Sequence, residues 1–258
     1  MRFLPMTILV AVAIFAGMLI VAELGRRFAR AQIRRDPEGV RAGLGPIESA
    51  MLALLGLLLA FTFNGAANRF EGRRTLIAEE ANALDTAYRR LDLLPEGPRT
   101  ALQKDFREYL RARLAAYAVW DQDRRLAAQR IARAEAIQDE IWARVVPAAT
   151  ALGGSTPMLV LIPINATFDV ANKRLIATQA HPPLAVYVLL GAMTLLSAFP
   201  AGYAMGQRER RPTLHLVLFA ATLAMAIFIT ISLEYPRLGL IRIDEADRNL
   251  VKVLEWMR

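Results

Sequence analysis

The chain has 258 residues, 55% of them hydrophobic, with 32 basic against 24 acidic residues and a mean hydropathy of +0.31. That average is too apolar for an ordinary soluble domain and too polar for spanning helices alone, which points to a membrane layer joined to a polar domain. There is no cysteine, which excludes disulfides, thiol catalysis and thiolate metal sites, and with only His181 and His215 no histidine metal centre is expected.

The net charge of +8 could suggest nucleic acid. The basic residues sit beside apolar runs, as membrane flanks do, so no nucleic-acid partner is expected. Met6 to Leu24 is almost entirely apolar and about as long as a bilayer core requires at ~1.5 Å rise per residue. A cleaved signal peptide is the alternative. The length of the run and the basic stretch Arg26, Arg27, Arg30, Arg34, Arg35 favour an uncleaved spanning helix. A linker is predicted from Gly25 to Gly45, where Asp36-Pro37-Glu38-Gly39 and Gly43-x-Gly45-Pro46 end and restart helices.

The second helix is predicted from about Pro46 to about Leu94, leaving the membrane and continuing into water. Beyond Arg69 its apolar residues become one-sided: Phe70, Ile77, Leu84 and Leu91 recur at heptad spacing, with Ala81 and Tyr88 between, which is the seam of a packed helix. Leu94-Pro95-Glu96-Gly97-Pro98 is a break. Arg99 to about Pro147 reads as two further helices. Leu102, Phe106, Tyr109, Leu110, Leu114 and Tyr117 mark one apolar face, and Ile137, Ile141 and Val145 the other. The run Asp121-Gln122-Asp123-Arg124-Arg125 reads as a solvated helix surface.

Gly153-Gly154-Ser155-Thr156-Pro157 ends that part. Ser155 or Thr156 can cap the next helix, from Met158 to about Ala180, with Pro157 in its first turn. Leu184–Met205 and Thr213–Leu233, joined by the polar turn Gln207–Pro212, are the third and fourth spanning helices and form an antiparallel pair. Small residues on the third (Gly191, Ala192, Ala198, Ala201, Gly202) allow close packing in lipid. After Glu234-Tyr235-Pro236 the tail turns amphipathic, and a final helix opens near Asp244. Arginines near the spanning ends almost balance between the two sides, so the positive-inside rule assigns no orientation.

No catalytic constellation is present. Glu79, Glu80 and Asp85 lie on one charged helix, which cannot surround a substrate or metal. No nucleophile turn occurs, and Gly153-Gly154-Ser155 lacks the Lys-Ser/Thr of a phosphate loop, so neither enzyme activity nor a cofactor is expected. The second helix is different. Ala53, Leu57, Phe61, Asn64 and Asn68 follow spacings of four, four, three and four and form one stripe. Periodicity alone favours helix packing. The alternative is a pore lining, with Leu57 and Phe61 as a dewetting constriction and Asn64 and Asn68 as the first polar rings beneath it.

Leu57-Leu58-Leu59-x-Phe61-x-x-Asn64-x-Ala66-x-x-Arg69-Phe70-x-x-x-Arg74, with Leu76, Asn82 and Arg89 beyond, resembles the second spanning helix of bestrophin channels. The wider chain, including Glu234-Tyr235-Pro236-Arg237-Leu238-Gly239, looks like a bacterial bestrophin-like family of unassigned function. The resemblance implies an all-α membrane protein with two spanning helices, a long helical insert in the cytosol and two more spanning helices. It further implies a homopentamer whose second helix faces the axis, with Ala53, Leu57 and Phe61 at the neck and Arg69, Arg74 and Asn82 as structural motif residues. Phe70 and Glu71 replace the family's paired Trp. The acidic calcium-binding cluster has no counterpart after Pro236, so calcium gating is not implied.

The expected layout is residues 1–69 as the first spanning pair, 70–181 as the polar helical domain, 182–234 as the second pair and 235–258 as an amphipathic tail. The expected function is passive conduction of small ions, anions such as chloride, through a pentameric axial pore in a bacterial inner membrane. The expected partners are the lipid bilayer, further copies of the chain and the permeant ions. A membrane-anchored signalling or scaffold protein is the alternative. A transporter is a weaker one, since no inverted repeat is visible.

Overall fold

The computed structural model describes residues 3–34, 45–120, 122–206, 213–237 and 240–257, and it is helical throughout, with no strand among them. The helices are α1 (Phe3–Ile33), α2 (Gly45–Arg90), α3 (Glu96–Val119), α4 (Arg124–Thr150), α5 (Thr156–Gln179), α6 (Leu184–Gly206), α7 (Thr213–Glu234) and α8 (Asp244–Trp256). A single 3-10 turn, Leu91–Leu93, follows α2. The chain forms two compact units, one of Met1–Arg69 with His181–Ile241, the other of Phe70–Ala180 with Arg242–Arg258. Four helices are long and apolar enough to cross a membrane.

The first unit packs α1 against α6 and α7. Its core is small: Met18, Ala22, Ala198 and Ala220 form one cluster, and Leu55, Leu190 and Ile227 another. Large apolar side chains such as Leu9, Ile20, Leu184, Leu196, Leu218 and Met225 point outward instead, the inversion expected of helices whose solvent is hydrocarbon. Buried hydroxyls are satisfied within their own helices, Thr194 donating to the Leu190 carbonyl at 2.7 Å and Thr230 to that of Ala226 at 2.8 Å. Close approach is confined to part of the small-residue stripe. A Cβ on Gly202 would lie 1.8 Å from the Ala22 carbonyl oxygen, whereas one on Gly191 would meet nothing within 4 Å.

Helix α1 does not stop near Leu24. It runs to Ile33, through the stretch predicted as the start of a linker. Glu23 receives hydrogen bonds from Arg26 at 2.6 Å and Arg27 at 3.0 Å, the spacings at which side chains meet on a helix surface. Gly25 is kept helical and small by packing, with the Phe199 carbonyl oxygen 2.2 Å from where its Cβ would be. The predicted breaks at Asp36–Gly39 and Gly43 and the turn Gln207–Pro212 lie outside the described residues, as do Asp121 and Leu238.

The second unit has a conventional buried core. Ile77, Leu84 and Leu91 of the heptad seam pack with Leu102, Phe106, Tyr109 and Leu110 of α3, Ile137, Ile141 and Val145 of α4, and Val160 and Ile164 of α5. Helix α8 adds Leu250, and Met257 just beyond it is also fully buried. Three local expectations are corrected here. Helix α3 begins at Glu96, because Pro98 is tolerated in a first turn where its missing N–H has no helical partner anyway. Residues 122–125 of the charge run are exposed, as a solvated surface should be, but they straddle a helix start: Asp123 is the N-cap of α4, its side chain accepting from the Leu126 N–H at 2.9 Å. Ser155 holds the N-cap position of α5 without a side-chain capping bond, and the turn before it is made by Gly153 and Gly154 at φ +65° and +57°.

Candidate functional site

Helix α2 turns two chemically different faces outward and inward. Leu55 and Ala66 are buried on one side. On the other, Ala53, Leu57, Phe61, Asn64 and Asn68 are all exposed, Leu57 to 53% and Phe61 to 67%. The stripe is therefore not helix packing within one chain, the reading that periodicity alone favoured. Leu52, Leu54 and Phe63 are exposed as well, so exposure alone does not separate an axial face from a lipid face. The amides do. Asn64 and Asn68 make no side-chain hydrogen bond among the described residues, and two unpartnered amides suit water or a polar neighbour far better than hydrocarbon.

The helix is anchored beside this stripe by a charge cluster around the buried Glu234. The guanidinium of Arg69 donates through Nε to both oxygens of Glu234, at 3.1 and 2.9 Å, with a third contact from its Nη2 at 2.8 Å. Glu234 is fully buried at the end of α7 and also lies 3.0 Å from His181 Nδ1. The His181 ring stacks on Tyr235 with 4.7 Å between centroids. Gly65, one turn before Arg69, leaves room for this arrangement, since a Cβ there would sit 3.3 Å from the guanidinium. Thr62 bonds to the carbonyls of Leu58 and Leu59. A cavity of about 250 Å³ opens next to it, lined by Phe61, Arg69, Pro182, Tyr187, Thr230 and Glu234 among others. Phe61 thus borders both the exposed stripe and this cavity.

Of the three motif residues, only Arg69 bonds to another helix. Arg74 pairs with Glu71 at 2.9 Å on the same exposed helix surface, an interaction worth little. Asn82 is exposed, its backbone carbonyl accepting from Thr86. Sequence reasoning missed the partners. Glu234 is the one acid in a long apolar run, and an ionisable residue there is a signal for a buried partner. Arg73, one turn on from Arg69 and outside the quoted motif, is buried and donates to the carbonyls of Ala177 at 3.0 Å and Ala180 at 2.9 Å.

The second unit holds its own buried ionic knot. Glu80, fully buried, accepts from Arg113 at 3.0 and 3.1 Å and from Arg174 at 2.6 Å, and Arg174 also reaches Asp247. Arg113 further donates to the Tyr117 hydroxyl and the Ala171 carbonyl, and the Arg174 guanidinium lies 3.8 Å from the Tyr117 ring centre. Burial by itself would lower both arginine pKa values, but the Glu80 charge prevails and raises them.

Outward apolar faces and four helices of spanning character define a multi-pass helical membrane protein. The chain belongs to the bestrophin-like family, whose Bestrophin-like domain matches residues 12–247. Its fold is similar to the crystal structure of a mutant of a bacterial bestrophin homologue from Klebsiella pneumoniae, with a TM-score of 0.65 at 18% identity over 94% of this chain and 99% of that one. No curated protein matches the sequence.

Proposed function

We propose that the protein assembles as a homopentamer in a bacterial inner membrane and passively conducts small ions through an axial pore lined by α2. Leu57 and Phe61 form apolar rings that gate by excluding water, with Ala53 on one side of them and the amide rings of Asn64 and Asn68 on the other. In this reading residues 1–69 and 182–234 form the membrane layer, 70–181 the polar helical domain and 235–258 its tail. The observation that carries the reading is the exposed stripe: large apolar residues followed by two unpartnered amides, opposite the face that α2 buries. Membership of the bestrophin-like family supports it. A preference for anions such as chloride rests on the family resemblance alone.

Reconstitution in planar bilayers tests the proposal. Phe61→Ala and Leu57→Ala should each raise the conductance, because a smaller ring wets more easily. Mass measurement in detergent should give a closed five-fold ring. Absence of current from the parent chain and from both variants would overturn the reading, and a monomer or dimer would favour the scaffold alternative.

A further inference from the structure

Helix α1 is longer than a bilayer core. Its 31 residues extend on the order of 46 Å, against about 30 Å of hydrocarbon. The apolar run Met6 to Leu24 fills that core, so the turns from Gly25 to Ile33 pass through the headgroup layer. Contacts change character along these turns. Phe28 lies beside the rings of Phe199 and Tyr203, and one turn on the Tyr203 hydroxyl donates to Gln32 at 3.1 Å.

One outward face of α1 crosses this boundary. Leu9, Val12, Ile20 and Leu24 are exposed on it, and so are Arg27, Arg30 and Arg34 further along. Ile20, Arg27, Arg30 and Arg34 follow steps of seven, three and four, which keep side chains on one side of a helix. Met18, Ala22, Gly25 and Ala29 are buried on the other side. A single surface is thus apolar where it meets hydrocarbon and cationic where it leaves it.

The positive charge is not cancelled within the helix. Glu23, its one acid, is shared by Arg26 at 2.6 Å and Arg27 at 3.0 Å. Arg30 and Arg34 make no hydrogen bond or ion pair among the described residues. Four guanidiniums against one carboxylate leave a surplus of three positive charges. The Cα–Cβ bonds of a helix tilt toward its N-terminus, which here is the bilayer side, so Arg27 and Arg30 lean back toward the lipid surface.

We infer that Arg27, Arg30 and Arg34 form a docking surface for anionic phospholipid, with the phosphodiester at the guanidiniums and the acyl chains along Ile20 and Leu24. A guanidinium pairs with phosphate oxygens through two parallel N–H donors, and clustered arginines beside a spanning helix attract anionic headgroups. A zwitterionic headgroup carries no net charge to offset the surplus. The inference stands independently of the pore.

The test mixes the full-length protein in detergent with equal amounts of phosphatidylglycerol and phosphatidylcholine of the same chains. Lipid retained through gel filtration is then measured by mass spectrometry. The parent should keep phosphatidylglycerol several-fold over phosphatidylcholine. Arg30→Gln with Arg34→Gln should bring the ratio near one, and Arg30→Lys with Arg34→Lys should keep most of it. Arg125→Gln, exposed in the other unit, should leave it unchanged. Should the double glutamine variant not fold, each single glutamine variant should show part of the loss. The parent ratio should also fall toward ~1 M salt, where the screening length is about 3 Å. Excess inorganic phosphate at matched ionic strength should not displace the phosphatidylglycerol, because it has no chains to lie along the apolar face. Equal retention of the two lipids by the parent would overturn the assignment. So would a ratio unmoved by the glutamine variants or by salt, or displacement by inorganic phosphate, which would make the arginines an ordinary anion site.

Discussion

At the scale of single residues, charge in this protein is held in two ways. On the surface, pairs such as Arg74 with Glu71 lie in water and contribute little. Inside the second unit, Glu80 faces two arginines, each nearly as buried as itself. Removing one member of such a knot strands the others, and the loss is about 3–5 kcal/mol. Glu80→Gln should therefore destabilise the protein by roughly that amount in chemical unfolding, with Arg113 and Arg174 left to Asp247 and backbone carbonyls. Both arginines have pKa values raised above the usual guanidinium value, because the buried Glu80 charge outweighs the burial that would lower them. A raised folded value supplies its stability at every pH below the unfolded one, so their share should be flat across the physiological range and lost only in strong base. These partners were not legible in the sequence. Glu79 and Glu80 look alike as letters, and only the rotation of the helix sends one inward to meet residues 33 and 94 positions away.

At the scale of helices, the length and composition of each run were readable because a bilayer imposes a minimum apolar length and a heptad seam imposes a period. The seam Ile77, Leu84, Leu91 and the faces of α3 and α4 are buried as their spacing predicts. The end of α1 was not readable. Gly25 and its charged neighbours resemble a linker, yet the glycine is there to let another backbone approach. The same physics gives a prediction for α6. Gly202→Val should push α1 and α6 apart, at a cost of at least the ~1–3 kcal/mol of ordinary overpacking, because the atom it meets is the Ala22 carbonyl and not a flexible side chain. Gly191→Ala, with open space around it, should leave thermal unfolding unchanged. The stripe on α2 lies between these cases: its residues and phase were legible, but its exposure was not, since a period says which residues share a face and not what the face meets.

At the scale of the whole molecule, each unit is built from two separated stretches of chain. The second unit is completed by α8, where Leu250 and Met257 are fully buried and the Met257 carbonyl accepts from the Tyr88 hydroxyl at 3.0 Å. Leu250→Ala should cost about 2–5 kcal/mol, the range for emptying a large aliphatic site in a packed core. Cleavage by a soluble protease within residues 70–180 should rise with it. The division also has a consequence for synthesis. Between Ala180 and Arg242 the ribosome must add about 60 residues, most of them the third and fourth apolar helices, which takes roughly 3–12 s at ~5–20 residues per second. For that interval the nascent helical unit waits with the site of Leu250 unfilled while the translocation machinery handles the rest of the chain. A holding chaperone has its window there, and stalling translation just after Ile241 would prolong it.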